Sequence, residues 1–328
     1  MERMASLLSI EDLRVAFSLG KKETTVLRGI NLSILGNEIH GLVGESGSGK
    51  TVTSTCIIGL LPIPPAKILS GHIYFDGKDL LSLPEDQMRT YRGRKIAMIF
   101  QEPAKYLNPA FKIGEQIIEM LMLHMGMKKR SAYERVVELL RLVGLDEKVI
   151  DSYPHELSGG MKQRAMIAMA ISCDPDLIIA DEPTTALDVT LQVQILALLK
   201  KLKDMRKLGV LFISHDLYLV SEIADRVSVI YAGRIVESAT KEELFRNPLH
   251  PYTRLLMHSI PDAKKKGSKL ATIPGQVPDA AEIGNGCAFA NRCPIAKEDC
   301  FNDIPSYVEY ENAHTVACYN AGKIWQIL

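Results

Sequence analysis

The sequence predicts an α/β protein built on a mainly parallel sheet. Apolar runs rich in β-branched residues alternate along the chain with segments of helical periodicity, which is the pattern of such a fold. The chain has 328 residues, of which 47% are hydrophobic, enough for about two domains. A glycine-rich loop also stands between one strand candidate and a helical segment. We therefore expect a globular protein whose strands are buried.

Five short apolar runs are the candidate strands. They are Glu38 to Gly44, Lys95 to Phe100, Asp176 to Asp181, Val210 to His215 and Arg226 to Gly233. Their composition fits strands that are covered on both faces, as in a parallel sheet. We expect them to form the core of one mainly parallel sheet.

Between these strands, from about Pro103 to Leu157, the strand signal gives way to a helical one. Ser131 and Glu134 match the S-x-x-E capping box that starts a helix. Apolar residues follow at helical spacing, and Gly144 is a termination signal. The sequence therefore predicts a helical insert at about residues 103–157.

Charge and hydropathy exclude several function classes. Lysine plus arginine and aspartate plus glutamate number 39 each, so no global field would draw the chain onto nucleic acid or an acidic membrane surface. No apolar run reaches the roughly 18 residues of a spanning helix, and the N-terminal residues become charged before a signal-peptide core could form. We expect the chain itself to stay in the cytosol.

After about Asn247 the amino-acid composition of the sequence changes. Proline, glycine and lysine become frequent, which indicates a boundary followed by a small appended domain. Three cysteines then fall within Gly286 to Cys300, here called the cysteine segment, and Cys318 follows. In a reducing cytosol, clustered cysteines favour metal binding or redox chemistry over disulfides. The two remaining cysteines, Cys56 and Cys173, lie in apolar helical settings and are predicted core residues.

The segment from Gly44 to Thr51 reads GESGSGKT and matches G-x-x-x-x-G-K-[ST]. Its glycines let successive backbone N–H groups face phosphate oxygens at the positive end of the next helix. Lys50 would reach the β- and γ-phosphates, and the Thr51 hydroxyl would ligate Mg²⁺. A serine-glycine turn that merely carries a lysine is the alternative. The predicted nucleotide-binding residues in this loop are Gly44, Ser46, Gly47, Ser48, Gly49, Lys50 and Thr51.

The apolar run Leu177 to Pro183 ends in two carboxylates. Asp181 and Glu182 should therefore lie at the carboxyl edge of the sheet, where α/β proteins bind ligands. Asp181 is the expected acid on the magnesium side, and Glu182 is placed to polarise a water for in-line attack. Taken alone, such a pair would more often be a solvated strand end or a helix cap. The upstream phosphate loop favours the catalytic interpretation.

A second glycine-rich helix start, LSGGMKQR, runs from Leu157 to Arg164 and suits an anion. In a chain that also carries the phosphate loop and the Asp181–Glu182 pair, this segment resembles the signature motif of ATP-binding cassette (ABC) ATPases, a P-loop NTPase family. Further segments match the family order: Gln101 resembles the Q-loop glutamine, Thr185 to Asp188 the D-loop, and His215 the switch histidine. Phe17 falls where the family places an aromatic ring against adenine.

The resemblance implies an ABC nucleotide-binding domain with a mainly parallel core sheet, an antiparallel β subdomain and a helical subdomain. Two such domains pair head to tail, so the chain would need a second ATPase subunit. Ser158, Gly159, Gly160 and Asp188 would then serve nucleotide across that interface, while His215 contacts the γ-phosphate. Thr51, Gln101 and Asp181 would surround Mg²⁺. The helical insert and Q-loop would receive the membrane subunits.

The segment Arg246 to Pro261 resembles the C-terminal region of dipeptide, oligopeptide and nickel importer ATPases, and most nearly their D-type subunit. This implies a nucleotide-binding domain at 1–247 and a C-terminal domain at 248–328. The implied function is ATP hydrolysis that energises peptide import from the cytoplasmic side of the cell membrane. The implied partners are an F-type ATPase, two permeases and an extracytoplasmic peptide-binding protein, with no nucleic acid.

Two other functions stay open at this stage. One is a soluble ABC protein of translation or DNA repair, although such proteins usually carry two cassettes or long coiled coils, and the charge balance argues against it. The other is an importer of nickel or another small solute. Because the ATPase does not line the translocation path, its sequence says little about cargo.

The four cysteines Cys287, Cys293, Cys300 and Cys318 are separated by five, six and seventeen residues. Zinc sites usually use closer C-x₂₋₄-C pairs, which are missing here. Four thiolates can instead hold a [4Fe–4S] cluster, and the resemblance to the importer ATPases implies one. Zinc, free thiols and a disulfide remain alternatives. Such a site could clip a short tail into a fold, or it could sense oxidation.

Overall fold

The computed structural model describes residues 6–20, 22–185, 187–259 and 273–323. Ala186 of the predicted D-loop and the last two residues of the Arg246 to Pro261 segment lie outside the described residues. Every predicted site residue lies inside them.

The strands of the described chain differ in length and in burial. They are β1 (Leu8–Leu19), β2 (Lys22–Ile34), β3 (Ile39–Val43), β4 (Ala66–Phe75), β5 (Lys78–Asp79), β6 (Ile96–Ile99), β7 (Leu177–Asp181), β8 (Gly209–Ser214), β9 (Arg226–Tyr231), β10 (Arg234–Thr240), β11 (Val308–Tyr310) and β12 (His314–Val316). All residues of β3, β7 and β8 are buried, as expected of strands covered on both faces. The five predicted strands are confirmed as β3, β6, β7, β8 and β9.

The described chain contains eleven α-helices. They are α1 (Lys50–Ile57), α2 (Glu85–Tyr91), α3 (Pro103–Tyr106), α4 (Ile113–Met125), α5 (Lys129–Leu142), α6 (Gly159–Ala170), α7 (Val189–Arg206), α8 (Leu217–Ile223), α9 (Lys241–Arg246), α10 (Pro251–His258) and α11 (Asp299–Asn302). Residues 103–157, all of them described, contain α3, α4 and α5 and no strand.

The prediction of a capping box at Ser131 is wrong. Helix α5 begins at Lys129, so Ser131 and Glu134 lie inside it. Lysine and arginine are good helix formers, and they extend the helix past the serine toward its N-terminus. The Glu134 carboxylate lies 3.4 Å from Arg130 Nε. The predicted end is right, because Gly144 follows the helix with φ of 77°, in the left-handed region that glycine adopts readily.

The described residues divide into two compact units. The first unit comprises the described residues of Met1–Leu7, Ile34–Ile39 and Ser82–Ile213. In it β6 pairs with β7 and β7 with β8, both in parallel register. Helices α4 and α5 pack against each other through their apolar faces.

The second unit comprises Leu8–Ser33, His40–Leu81 and Ser214–Leu328. It contains a four-stranded sheet in the order β2-β1-β4-β5, in which β4 is antiparallel to β1 and β5. It also contains strands in the order β3-β9-β10-β12-β11, of which β3 and β9 are parallel and the later pairs antiparallel. The result is a mixed sheet with helices, not a purely parallel one.

The prediction of separate domains at 1–247 and 248–328 stays a prediction. No helix in the described part of the chain is long and apolar enough to cross a membrane.

Candidate functional site

The glycine-rich loop connects β3 to α1, as its motif requires. Gly49 precedes the helix with φ of 104°, which an L-residue rarely adopts. Gly44 permits a close approach, because a Cβ atom there would lie 2.2 Å from the Ile230 carbonyl oxygen. These two glycines let the loop turn tightly against β9 and aim its backbone at the start of α1.

Two polar side chains of the loop, those of Ser48 and Lys50, are buried, whereas Ser46 and Thr51 are exposed. Lys50 is 6% exposed, and its Nζ donates to the carbonyl oxygens of Gly44 at 2.7 Å and Glu45 at 3.0 Å. Ser48 is 1% exposed, and its hydroxyl has no hydrogen-bond partner among the described residues. Buried hydroxyls are normally satisfied, so a buried one without a partner points to a ligand group. The loop therefore fits a phosphate.

Two further predicted residues, Phe17 and His215, belong to the second unit. Phe17 is half-buried near the end of β1, opposite Ala66 of β4. His215 is exposed in the turn that follows β8, directly before Asp216, which caps α8. Both positions agree with the family order, and the roles of the two residues stay predictions.

Asp181 and Glu182, which the sequence predicted to act on the metal ion and on water, lie at the end of β7. Asp181 is 4% exposed. The Gln101 side-chain amide donates to a Glu182 carboxylate oxygen at 3.0 Å, and the Thr185 hydroxyl donates to the same oxygen at 3.0 Å. Glu182 has φ of 46°, a left-handed conformation that is uncommon outside glycine and concentrates at functional sites. The Thr185 contact was missed at the sequence level.

The predicted signature motif begins α6. The Ser158 hydroxyl accepts the Met161 N–H at 3.3 Å and caps the helix. Ser158 and Gly159 are exposed, whereas Gly160 is buried and a Cβ there would lie 2.9 Å from Leu191. Asp188 caps α7 by accepting the Leu191 N–H at 3.0 Å. Leu191 thus joins the two helix starts, which present their polar residues to the surface.

The four C-terminal cysteines are free thiols near one another. Each sulfur accepts at least one backbone N–H, for example from Lys297 to Cys300 at 3.5 Å and from Asn320 to Cys318 at 3.3 Å. Burial raises the pKa of Cys293 to about 11 and that of Cys318 to about 12. A neighbouring thiolate would raise the pKa of Cys287, Cys293 and Cys318 further, which shows that the four sulfurs lie close together. Even so, no group of three or more His, Cys, Asp or Glu side chains in the described ranges is arranged to hold a metal ion.

The comparisons with known proteins decide the family. The family model described as ABC transporter matches residues 27–185, and the one described as oligopeptide/dipeptide transporter, C-terminal region, matches 236–300. The chain is 48% identical over 321 residues to the probable peptide ABC transporter ATP-binding protein y4tR of Sinorhizobium fredii, covering 97% of this chain and 96% of that one. It is 47% identical over 318 residues to the oligopeptide transport ATP-binding protein AppD of Bacillus subtilis, covering 96% and 97%.

The chain belongs to the ATP-binding subunits of peptide ABC transporters. It is therefore an ABC ATPase, with the P-loop NTPase fold that the sequence predicted. Its fold is similar to the ATP-binding cassette MJ0796 in a dimeric post-hydrolysis state bound to ADP and Pi. That match has a TM-score of 0.65 and 28% identity, and it covers 71% of this chain and 98% of that one.

A second contact of this ABC ATPase that the sequence did not predict joins Glu45 in the phosphate loop to Arg292 in the cysteine segment. Two guanidinium nitrogens of Arg292 lie 2.7 and 3.0 Å from the two carboxylate oxygens of Glu45. Glu45 occupies a variable position of the loop motif, and Arg292 stands 247 residues further along the chain. A single sequence carries no signal that would join them.

Cys56 and Cys173 are buried, as predicted for core residues. Burial raises the pKa of the Cys56 thiol to about 12, so it stays neutral and packs as a small apolar group. Cys56 lies in α1, whereas Cys173 lies in the turn that follows α6.

Proposed function

We propose that this chain is the subunit that hydrolyses ATP to energise peptide import across the cell membrane. The observation that carries the proposal is the joint placement of Gln101, Thr185 and Glu182 at the end of β7, in a chain with an intact phosphate loop. Both relatives named above are transport ATP-binding proteins, one for peptides and one for oligopeptides. Neither a nickel importer nor a nucleic-acid clamp is favoured by this combination.

The nucleotide is proposed to lie against the loop between β3 and α1. The loop N–H groups and the positive end of α1 would hold its phosphates, with Lys50 on the β- and γ-phosphates. The Ser48 hydroxyl, which has no hydrogen-bond partner among the described residues, would donate a hydrogen bond to a phosphate oxygen. The residues proposed for this contact are Gly44, Ser46, Gly47, Ser48, Gly49, Lys50 and Thr51, with Phe17 against the adenine.

Glu182 is the proposed base for the attacking water. Its carboxylate is fixed by the hydrogen bonds from Gln101 and Thr185, and a fixed acceptor orients water without reorganising during the reaction. His215 would contact the γ-phosphate. Thr51, Gln101 and Asp181 are oxygen ligands of the kind that Mg²⁺ takes, and the ion would neutralise the charge that develops on the phosphates.

A second ATPase subunit is part of the proposal. The exposed start of α6 would meet nucleotide held by that partner through Ser158, Gly159 and Gly160, with Asp188 at the same interface. The dimeric state of MJ0796 supports such pairing. We infer that the partner is a related chain, so that a heterodimer sits peripherally on the cytoplasmic side against two permeases served by a peptide-binding protein. The helical subdomain at about 103–157 would receive the permeases.

The domain beyond residue 247 is proposed to hold a [4Fe–4S] cluster on Cys287, Cys293, Cys300 and Cys318, with zinc as the alternative. Backbone N–H groups on the sulfurs support this, because such hydrogen bonds stabilise cluster thiolates. Arg28 and Arg234 lie near Cys287 and would offset the negative charge. Protein purified without oxygen should absorb at about 400 nm. Colourless protein with stoichiometric zinc would overturn the cluster.

The test of the hydrolytic assignment is Glu182→Gln in the complex with its partner ATPase and permeases. The substitution keeps the size of the side chain but removes the base, so turnover should fall about a hundredfold while ATP binding persists. The matched control is Glu222→Gln, an exposed glutamate on α8. Turnover near the wild-type rate in Glu182→Gln would contradict the assignment. Stimulation of ATPase activity by peptide-loaded binding protein, and not by nucleic acid, would confirm the transport role.

A further inference from the structure

Arg292 is held in an unusually complete set of contacts. Its side chain is 6% exposed, and each of its five N–H donors has an acceptor. Two go to the Glu45 carboxylate, one to the Tyr231 hydroxyl at 3.2 Å, and two to the backbone carbonyls of Pro274 at 2.8 Å and Gly275 at 3.3 Å. A guanidinium satisfied in this way is fixed in place, because each bond constrains the same planar group.

Glu45, the ion-pair partner of Arg292, belongs to the phosphate loop. Glu45 immediately follows Gly44, and its carbonyl accepts a hydrogen bond from Lys50 Nζ. The Glu45 backbone N–H in turn donates to the Tyr252 hydroxyl of α10 at 3.0 Å. The side chain, N–H and carbonyl of Glu45 are therefore all engaged. Any shift of the Arg292 guanidinium would move the residue that helps to place the Lys50 ammonium.

An aromatic cluster supports this connection. The rings of Tyr231, Tyr252 and Phe289 lie 4.6 to 5.3 Å apart between centroids, and Phe289 belongs to the cysteine segment. The Arg292 guanidinium lies over the Tyr231 and Phe289 rings at 5.7 and 5.9 Å. Stacked cations and aromatic rings of this kind hold each other in register. The cysteine segment and the phosphate loop are thus joined by packing as well as by charge.

We propose that the Arg292–Glu45 ion pair positions the ATP phosphate loop, so that the cysteine segment sets the affinity of this chain for nucleotide. Arg292 is the residue directly before Cys293, and a change in the conformation of the cysteine segment would reach the loop through this side chain. The proposal rests on the assignment of residues 44–51 as the phosphate loop. Arg292 acts as a positioning residue and makes no contact with nucleotide.

The experiment measures binding of ATP to the full-length chain with Arg292→Gln and Glu45→Gln, singly and together. Breaking a buried charge pair leaves the other charge uncompensated, so each single variant should raise the Kd for ATP about tenfold. Because both act through one contact, the double variant should bind within about twofold of the weaker single variant. Amide exchange at residues 44–51 should quicken in Arg292→Gln. Arg292→Lys keeps the charge but cannot bind both carboxylate oxygens of Glu45 at once, so its Kd for ATP should lie between those of the wild type and Arg292→Gln.

The matched control is His314→Gln. His314 and Glu237 form another buried pair in the same unit, with 2.7 Å between Nε2 and Oε1. Removing it should lower the melting temperature but leave ATP affinity and amide exchange in the loop unchanged. Equal loss of affinity in His314→Gln at equal loss of stability would overturn the proposal, because it would reduce the effect to general destabilisation.

The failure of this inference can be told from failure of the phosphate-loop assignment. Wild-type ATP affinity in both Arg292→Gln and Glu45→Gln, with binding lost in Lys50→Met, would overturn the positioning role alone. Wild-type affinity in Lys50→Met would overturn the assignment of the loop. Strictly additive losses in the double variant would also contradict the proposal, because the two residues would then act separately.

Discussion

The phosphate loop (residues 44–51) and the signature start (Ser158 to Gly160) are both glycine-rich beginnings of helices, yet they differ in how far their polar side chains are buried. In the loop, Ser48 and Lys50 are buried, and Glu45 is held from the side by Arg292 and Tyr252. At the start of α6, Ser158 and Gly159 are exposed, and the Ser158 hydroxyl serves the helix as its cap. The loop thus buries two of the polar side chains proposed to hold phosphate in this chain, whereas the start of α6 leaves its polar residues at the surface, as the proposal of a partner subunit requires.

Substitution of Lys50 by Met should have the largest effect. The variant removes the one ammonium that the loop backbone holds close to the start of α1, so ATP binding and hydrolysis should both fall, hydrolysis by about a hundredfold to a thousandfold. Equilibrium binding and steady-state turnover measure the two losses. Lys201→Met, at an exposed lysine of α7, is the control. Intact binding would mean that the loop does not hold nucleotide as the comparison requires.

Gly159→Asp should separate the two helix starts. A Cβ at Gly159 meets nothing within 4 Å, and an acidic residue in the first turn of a helix is stabilising, so the fold should be unharmed. The added charge would repel a partner's γ-phosphate, and turnover of the assembled complex should fall about a hundredfold. ATP binding by the chain alone should not change.

The control for this variant is Gly36→Asp, an exposed position in the same unit where a Cβ is equally unobstructed. If Gly159→Asp also abolished ATP binding by the isolated chain, the signature start would belong to the chain's own nucleotide site. The contrast between the two regions would then be wrong.

The sequence predicted five of the described strands and both glycine-rich helix starts, because their signals are local. Apolar runs locate β3, β6, β7, β8 and β9, and the loop motif has a fixed spacing. The start of α5 was misplaced because two basic helix formers outweigh the Ser131 signal that follows them. Contacts that join distant positions, such as Arg292 with Glu45, depend on the tertiary fold and leave no mark on a single sequence.

Acid should weaken the unit that carries the phosphate loop. His250 is buried, which lowers its pKa to about 4, while the charge of Glu237 opposes this shift. Its Nδ1 accepts the Tyr252 N–H and so caps α10, a contact that protonation would remove. Because the pKa is lower in the folded chain than in the unfolded one, the unfolded state binds more protons between pH 6.5 and 4. Stability present above this window is lost as the pH falls through it.

Urea unfolding at a series of pH values measures this effect. The wild-type chain should lose on the order of 2 kcal/mol more than His250→Asn over the window, because asparagine keeps a capping oxygen and does not titrate. His314 and Glu237 are unchanged in both proteins, so the comparison isolates the change at residue 250. Parallel pH profiles for the two proteins would contradict a buried neutral His250.

The smallest and sharpest contrast is between two serines. Ser158→Ala removes a helix cap, so it should lower the free energy of unfolding by about 1 kcal/mol and leave ATP affinity of the isolated chain unchanged. Ser48→Ala removes a buried hydroxyl that has no partner in the described chain, so stability should stay equal or rise while ATP affinity falls a few fold. Thermal unfolding and ATP titration of both variants give four values. Ser158→Ala should lose stability but not ATP affinity, and Ser48→Ala should lose ATP affinity but not stability, because one hydroxyl caps a helix and the other would bind the ligand. Equal losses of stability and of ATP affinity in the two variants would contradict the distinction between the two helix starts.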